Sequence, residues 1–204
     1  WNLVRKSLFY KYFTICAGIV LLSIIVLGLV LLGFSTQYFR TESYKRLGRN
    51  VQLAVYVTEQ NFEENNRWYV DASVVSPNFQ ILDNAIDATL FLVDTNGKTL
   101  LCTEPGRCVH STYLVGEEIM DQVLHGEYRE QGRLDGMYDR QYYTVGRPVV
   151  LDDGLVVGAV FASTPASDLY QFLGEMLRMF AASALTVLIV CFIGLYFATA
   201  EMVK

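Results

Sequence analysis

Two long uncharged apolar runs lie near the two ends of this 204-residue chain and constrain its architecture more than any other feature. The first run covers residues 12–38 and the second covers residues 179–200. A helix of about 20 residues crosses the hydrocarbon core of a bilayer, and both runs reach that length. We therefore predict two transmembrane helices that flank a single middle domain.

Each apolar run has a simpler alternative interpretation. The apolar part of a cleaved signal peptide has about 7–15 residues followed by a cleavage site of small residues. The first run is about twice as long as that and continues into Phe34-Ser35-Thr36-Gln37. For the second run the alternative is a buried core helix, but an uncharged core helix of that length is unusual in a small domain. Both runs are therefore interpreted as uncleaved spans.

The basic residues before the first span predict the orientation of the chain. Arg5, Lys6 and Lys11 mark residues 1–11 as cytoplasmic, because short cytoplasmic flanks are enriched in Lys and Arg. Residues 39–178 then form an extracytoplasmic domain, and the last four residues return to the cytoplasm. From residue 40 to residue 178 the chain has 12 basic and 20 acidic residues, a net charge of −8. This acidity, without a basic and aromatic surface pattern, argues against a nucleic-acid partner.

Cys102 and Cys108 flank a Pro-Gly turn that can bring their sulfur atoms together. We predict a disulfide between them, which requires an oxidising compartment. A metal site is the alternative, because His110 completes a Cys-x5-Cys-x-His pattern. The chain has only two histidines, and His110 and His125 are both interpreted as surface residues. The expected metal content is therefore none.

Residues 40–70 have the pattern of a long helix that leaves the membrane. Apolar residues, including Leu47 and Val51, recur there at three- and four-residue spacing, which is the period of a helix with one apolar face. Residues 71–88 are interpreted as a loop with a short helix, because Pro77 interrupts them.

The β-rich segments that follow predict a five-stranded antiparallel sheet. The dipeptide Asn96-Gly97 between the first two segments is a strong hairpin signal. A helix at residues 116–125 interrupts the predicted strands, which are residues 89–94, 98–102, 128–134, 141–150 and 155–163. Thr164-Pro165 then predicts the N-cap and first residue of a helix that continues into the second span. The expected fold class is α+β, a sheet with a long N-terminal helix.

This pattern resembles a known family of sensor domains. The residues that carry the resemblance are Phe91-Leu92-Val93-Asp94-Thr95-Asn96-Gly97-Lys98, Tyr143-Thr144-Val145-Gly146-Arg147-Pro148-Val149 and the run from Gly158 to Pro165. In their order they resemble the extracytoplasmic single-Cache (PAS-like, PDC) sensor of bacterial histidine kinases, over residues 12–204. The ending at residues 201–204 is similar to the start of a cytoplasmic HAMP linker.

The resemblance implies the sensing and transmembrane portion of a two-component sensor histidine kinase in the cell membrane. It further implies a homodimer in contact with membrane lipids, an external small-molecule or cation ligand, and a response regulator reached through a kinase part after Lys204. A chemotaxis receptor or a cyclic-dinucleotide enzyme can carry the same sensor. A passive structural membrane protein is a further alternative.

Four side chains on the last two predicted strands are candidate ligand-binding residues: Tyr143, Arg147, Phe161 and Ser163. An arginine beside aromatic rings can bind a carboxylate through two parallel hydrogen bonds. Alternatively, Arg147 caps the end of its strand or pairs with Asp152 or Asp153. In this alternative interpretation Tyr143 and Phe161 belong to the hydrophobic core and do not line a pocket.

A second group of candidates is acidic. Glu117, Glu118 and Asp121 can meet a divalent cation or a cationic peptide, although carboxylates on one helix face are usually solvated. Catalytic motifs are not found: the chain has no Gly-rich phosphate loop, no Gly-x-Ser-x-Gly and no His-Glu-x-x-His. We therefore predict no catalytic residues and no cofactor in these 204 residues.

Overall fold

A computed structural model of the chain describes residues 2–64, 69–104 and 108–202. The chain divides into two compact units. One unit consists of Trp1–Tyr38 with Leu169–Lys204, and the other consists of Phe39–Asp168.

The first unit is built from parts of two long helices, α1 (Asn2–Glu64) and α4 (Ser167–Met202). In the described part of the chain, these two helices are long and apolar enough to cross a membrane, within Ala17–Phe62 and Gln171–Gly194. Within the unit the helices touch: the hydroxyl of Ser35 lies 3.6 Å from the sulfur of Met176. Large apolar side chains of this unit, such as Leu29, are exposed, as expected for a surface that faces lipid.

The second unit contains an antiparallel sheet, and the described residues supply five strands to it in the order β2-β1-β5-β4-β3. The strands are β1 (Thr89–Asp94), β2 (Thr99–Cys102), β3 (Tyr128–Gly132), β4 (Tyr142–Val150) and β5 (Val156–Pro165). Two further helices, α2 (Ala72–Ile86) and α3 (Glu117–His125), belong to this unit, with a 3₁₀ turn at Val109–Thr112. The predicted fold class is confirmed.

The predicted hairpin forms between β1 and β2, which pair antiparallel. Asp94 closes the turn, because its carboxylate accepts hydrogen bonds from the backbone N–H groups of Asn96 and Lys98, both at 2.9 Å. Gly97 adopts a φ of 80°, a left-handed conformation that glycine adopts without steric cost.

Each face of the sheet has its own hydrophobic cluster. The later part of α1 and helix α2 cover one face, and we call this the α1 face. Its buried residues include Leu47, Val51, Val75, Phe79, Tyr143, Val145 and Val160. Helix α3 and residues 134–138 cover the opposite face, which we call the α3 face. Its buried residues include Phe91, Ile119, Val123, Tyr128, Tyr138 and Phe161.

Helix α2 differs from the prediction of a loop with a short helix. It is a helix of 15 residues that contains Pro77. The side chain of Asp71 accepts a hydrogen bond from the backbone N–H of Ser73 and caps the helix. Val75 and Phe79 are buried against the sheet, so tertiary packing offsets the backbone hydrogen bond that proline cannot make.

Several predicted boundaries also change. The described helix α1 ends at Glu64, and Tyr69 and Val70 are not helical; residues 65–68 lie outside the described residues. Strand β3 ends two residues early because Leu134 and Asp135 have positive φ angles. Pro165 is the last residue of β5, not the first of a helix.

Candidate functional site

The predicted ligand-binding residues lie on opposite faces of the sheet. Tyr143 belongs to the α1 face, and the alternation of β4 puts Arg147 on that face as well. Phe161 belongs to the α3 face, and Ser163 follows it by two residues on β5. These side chains therefore do not line one cavity.

Tyr143 and Arg147 make contacts that stabilise the fold. The ring of Tyr143 is 1% exposed and packs edge-on against Tyr44, with 5.4 Å between ring centroids. The guanidinium of Arg147 forms an ion pair with Glu127, which also pairs with Arg129. The alternative partners considered for Arg147, Asp152 and Asp153, are therefore replaced by Glu127.

Phe161 is part of an aromatic stack in the α3 face. Its ring lies parallel to that of Phe91 at 5.1 Å between centroids, and the ring of Tyr128 meets it edge-on at 6.2 Å. Phe91 in turn stacks on the imidazole of His110 at 4.1 Å. The rings fill this face close to the middle of the sheet.

A line of buried polar groups runs beside the aromatic stack. The hydroxyls of Thr144 and Ser163 are 2.9 Å apart across β4 and β5. Tyr138 interacts through its hydroxyl with Ser163 and lies 2.7 Å from Nε2 of His110. Burial raises the pKa of Tyr138 and keeps its hydroxyl protonated.

His110 is 1% exposed, so the prediction that it is a surface residue is wrong. Burial lowers the pKa of His110 to about 4, although the carboxylate of Glu104 acts in the opposite direction. The imidazole is therefore neutral at pH 7, with one nitrogen carrying hydrogen and the other presenting a lone pair.

Cys102 and Cys108 are joined by a disulfide in the structure, with 6.5 Å between their Cα atoms. Nδ1 of His110 lies 3.4 Å from each sulfur. The same nitrogen is 3.6 Å from Oε2 of Glu104. These side chains form a compact group at the end of β2, which we call the Cys-His-Glu cluster.

A cleft of about 560 Å³ lies between the first turn of α3 and strand β3. Carboxylates dominate its lining, which includes Glu117, Glu118, Tyr128, Arg129, Glu130 and Asp135. We call it the acidic cleft. Of the three acidic residues predicted as a cation site, Glu117 and Glu118 line it. Asp121 does not, and its carboxylate lies 3.4 Å from Nδ1 of the exposed His125.

Hydrogen bonds hold the walls of the acidic cleft. The hydroxyl of Tyr128 donates to Oε2 of Glu130 at 2.7 Å. Burial, together with this hydrogen bond, raises the pKa of Tyr128, so the hydroxyl keeps its proton. Arg129 is bonded to Glu127, which offsets its positive charge and leaves the cleft negative. Glu130 and Asp135 were not among the predicted site residues, because only the tertiary structure brings them beside the first turn of α3.

A long helix on one face of this five-stranded sheet, with a short helix and loops on the other, gives the described residues the architecture of Cache-like sensor domains. No known family model matches the chain, and no curated protein sequence is significantly similar to it.

Several solved structures share this fold. The chain is similar to the ligand-binding domain of the Campylobacter jejuni chemoreceptor Tlp3 in complex with L-norvaline, with a TM-score of 0.54 and 17% identity over 72% of this chain and 59% of that one. The sensory domain of the same receptor with isoleucine bound gives a TM-score of 0.52 and 16% identity, over 83% of this chain and 65% of that one.

A third similar structure is an extracellular ligand-binding receptor from Desulfohalobium retbaense. It has a TM-score of 0.50 and 19% identity, over 70% of this chain and 26% of that one. The chain thus spans less than two thirds of each of these three structures. At these identities the similarity establishes a sensory-domain fold.

Proposed function

We propose that this chain is the signal-sensing and transmembrane portion of a two-component sensor histidine kinase. The observation that supports it is the position of the sensory fold, which lies in the chain between two helices that can cross a membrane in the described residues. The basic residues before the first span favour a cytoplasmic N-terminus. In this orientation residues 39–178 face the outside, where the Cys102–Cys108 disulfide is stable.

The acidic cleft is the proposed ligand site. Glu118, Glu130 and Asp135 concentrate negative charge in the lining of the cleft, so the ligand class is a small molecule with a cationic group or a divalent cation. The similar chemoreceptor domains hold amino acids, whose ammonium group has this charge. Of the predicted residues on β4 and β5, Phe161 contacts the cleft indirectly, because its ring packs edge-on against Tyr128, which lines the cleft.

The proposed signal passes through α1. Its residues Leu47, Val51 and Ala54 are buried against the sheet, and the same helix continues without a break back to Asn2. A ligand that changes the packing of the sheet on these residues changes the position of a helix that enters the membrane. Signalling then requires two packing arrangements of similar free energy, and the ligand must bind one of them more tightly.

A chimeric receptor tests the signalling role. Residues 1–204 replace the sensor and spans of a histidine kinase whose output gene is easily measured. We expect kinase output that depends on this segment and changes when cysteine pairs along residues 12–38 are crosslinked between two copies. An output that is constant under crosslinking and under all added compounds would favour the passive structural alternative.

The downstream sequence of the full-length gene separates the kinase from its nearest alternative. A histidine-bearing dimerisation helix and an ATP-binding domain after Lys204 are expected. A methyl-accepting signalling domain in that position would assign the same sensor to a chemotaxis receptor.

Thermal unfolding of the full chain in lipid nanodiscs tests the ligand site. Mg²⁺, Ca²⁺, putrescine and a set of amino acids are the probes, with NaCl of equal ionic strength as the reference. One of the probes should raise the melting temperature of the parent protein. Loss of that rise in the double variant Glu118→Gln with Glu130→Gln would support ligand binding in the acidic cleft. Asp121→Asn is the control, since it removes a carboxylate of α3 outside the cleft. If the probe raises the melting temperature equally in the double variant and in Asp121→Asn, the carboxylates of the cleft are merely solvated and do not bind the ligand.

A further inference from the structure

The Cys-His-Glu cluster brings together donor atoms that bind soft and borderline metal ions. In the described part of the chain, one ligand atom from each of Cys102, Glu104, Cys108 and His110 lies within 4.8 Å of the others. Zinc binds thiolate, imidazole and carboxylate at about 2.0–2.3 Å, so tetrahedral ligand atoms stand about 3.3–3.8 Å apart. The distances from Nδ1 of His110 to both sulfurs, 3.4 Å, and to Oε2 of Glu104, 3.6 Å, match that spacing.

Neighbouring groups orient two of the four donors. Nε2 of His110 lies 2.7 Å from the hydroxyl oxygen of Tyr138. Donation of its hydrogen to that oxygen leaves the lone pair on Nδ1, facing the sulfurs. The backbone N–H of Val109 donates to Oε2 of Glu104 at 2.8 Å and positions that carboxylate. Metal-binding histidines and carboxylates are usually held by such outer hydrogen bonds.

We propose that the reduced form of this cluster is a zinc site, and that disulfide formation and zinc binding exclude each other. A small dithiol or a dithiol protein is the reductant: it supplies two electrons and two protons, breaks the bond between the sulfurs of Cys102 and Cys108, and becomes a disulfide itself. Zn²⁺ then displaces the two thiol protons, which pass to solvent. The resulting site contains two thiolates, the neutral imidazole of His110 and the carboxylate of Glu104.

The position of the cluster connects it to the sheet. His110 stacks on Phe91 of β1, and Tyr138 interacts with Ser163 of β5. A change from disulfide to zinc ligation therefore takes place in direct contact with two strands of the sheet. Glu104 is 31% exposed while His110 is 1% exposed, so the ion reaches the cluster from the carboxylate side.

Cobalt substitution in the full chain tests the proposal. The protein is prepared in nanodiscs with Cys16→Ser and Cys191→Ser, reduced with a phosphine, and freed of the phosphine without oxygen. One equivalent of Co²⁺ is expected to give thiolate-to-cobalt charge-transfer absorption and tetrahedral d–d bands. Added Zn²⁺ is expected to abolish both, because it binds such sites more tightly. The oxidised protein is expected to show neither.

Variants identify the ligands and keep the test decisive. Cys108→Ser is expected to lose the charge-transfer band. Tyr138→Phe is expected to weaken Zn²⁺ binding about 10- to 100-fold. Asp121→Asn, which changes an exposed carboxylate of α3 outside both the cluster and the acidic cleft, is the matched control and is expected to bind as the parent does.

Three outcomes would overturn the zinc site. They are reduced parent protein without the charge-transfer band, an octahedral cobalt spectrum, and unchanged binding in Cys108→Ser. If reduction loosens the fold, the melting temperature of the reduced parent provides a second measurement. A rise with equimolar Zn²⁺ supports the site, and no change contradicts it.

Discussion

Nε2 of His110 and the hydroxyl oxygen of Tyr138 lie 2.7 Å apart, and both residues are buried in the α3 face of the sheet. The contact joins the 3₁₀ turn after β2 to the loop before β4, which are 28 residues apart in the chain. It therefore stabilises a part of the fold that strand pairing does not reach.

Loss of this hydrogen bond should reduce stability. Tyr138→Phe keeps the ring but leaves the buried imidazole N–H without its acceptor, which costs about 1–3 kcal/mol. Urea unfolding of the full chain in detergent micelles, followed by near-ultraviolet circular dichroism, measures the change. Tyr113→Phe is the control, because its side chain is exposed and its removal should change the free energy of unfolding little. Equal stability of the two variants would contradict the role of the hydroxyl.

Glu127 should make stability depend on pH in the acid range. Although partial burial favours the neutral acid, hydrogen bonds and charge from Arg129 and Arg147 lower the pKa of Glu127 below its ordinary value. The unfolded chain then takes up the proton first as the pH falls, so the stabilisation is present at neutral pH and is lost below about pH 4.

The variant Glu127→Gln tests this pH dependence. We expect it to be less stable than the parent by about 0.5–1 kcal/mol at pH 7, and the difference should narrow in acid. Urea unfolding between neutral pH and acid measures both effects. Glu117→Gln serves as control, since this exposed carboxylate has no ion pair among the described contacts. If the stability difference between the parent and Glu127→Gln grows in acid, the direction assigned to the pKa shift of Glu127 is wrong.

Gly158 permits the close approach of β5 to β1. A Cβ atom at this position would overlap the backbone carbonyl oxygen of Val93, and backbone in the centre of a sheet cannot easily move. Gly158→Ala should therefore destabilise the protein by about 1–3 kcal/mol. Gly126→Ala is the matched change, since a Cβ there meets open space. Comparison of the two melting temperatures checks the prediction, and equal values would contradict it.

The disulfide should contribute to stability through the loop that it closes. Its cysteines are six residues apart, and the chain-entropy relation for a loop of that size gives about 2 kcal/mol. The double change Cys102→Ser with Cys108→Ser should lower stability by that amount, while Cys191→Ser should not. Urea unfolding measures the difference, and mass spectrometry of non-reduced peptides checks the bond. If both thiols can be alkylated in the oxidised parent protein, Cys102 and Cys108 are not bonded and the prediction fails.

Local sequence patterns predicted much of the fold. The length of the apolar runs predicted the helices that can cross a membrane, and Asn96-Gly97 predicted the first hairpin. These features depend on residues near each other in the chain, so their period and turn chemistry suffice. Helix α2 is longer than the predicted short helix, because Pro77 disfavours a helix locally while the burial of Phe79, which only the tertiary structure shows, favours it.

The candidate site was harder to predict because it depends on strand register. Period-two alternation puts Tyr143 and Arg147 on one face of β4, and Phe161 and Ser163 on one face of β5. Only the pairing of Thr144 with Ser163 shows that these faces are opposite, and a shift of one residue would reverse the result. The burial of His110 was also missed, since its partner Tyr138 is distant in the chain.

The place of β5 in the sheet has a consequence for biogenesis. This strand is the last to be synthesised, yet it lies between β1 and β4 and joins the two halves of the described sheet. Until Val156–Pro165 leaves the ribosome, the earlier strands are two separate hairpins, each too small to be stable alone. The domain therefore remains unfolded, tethered by α1, until its last strand β5 is synthesised just before α4.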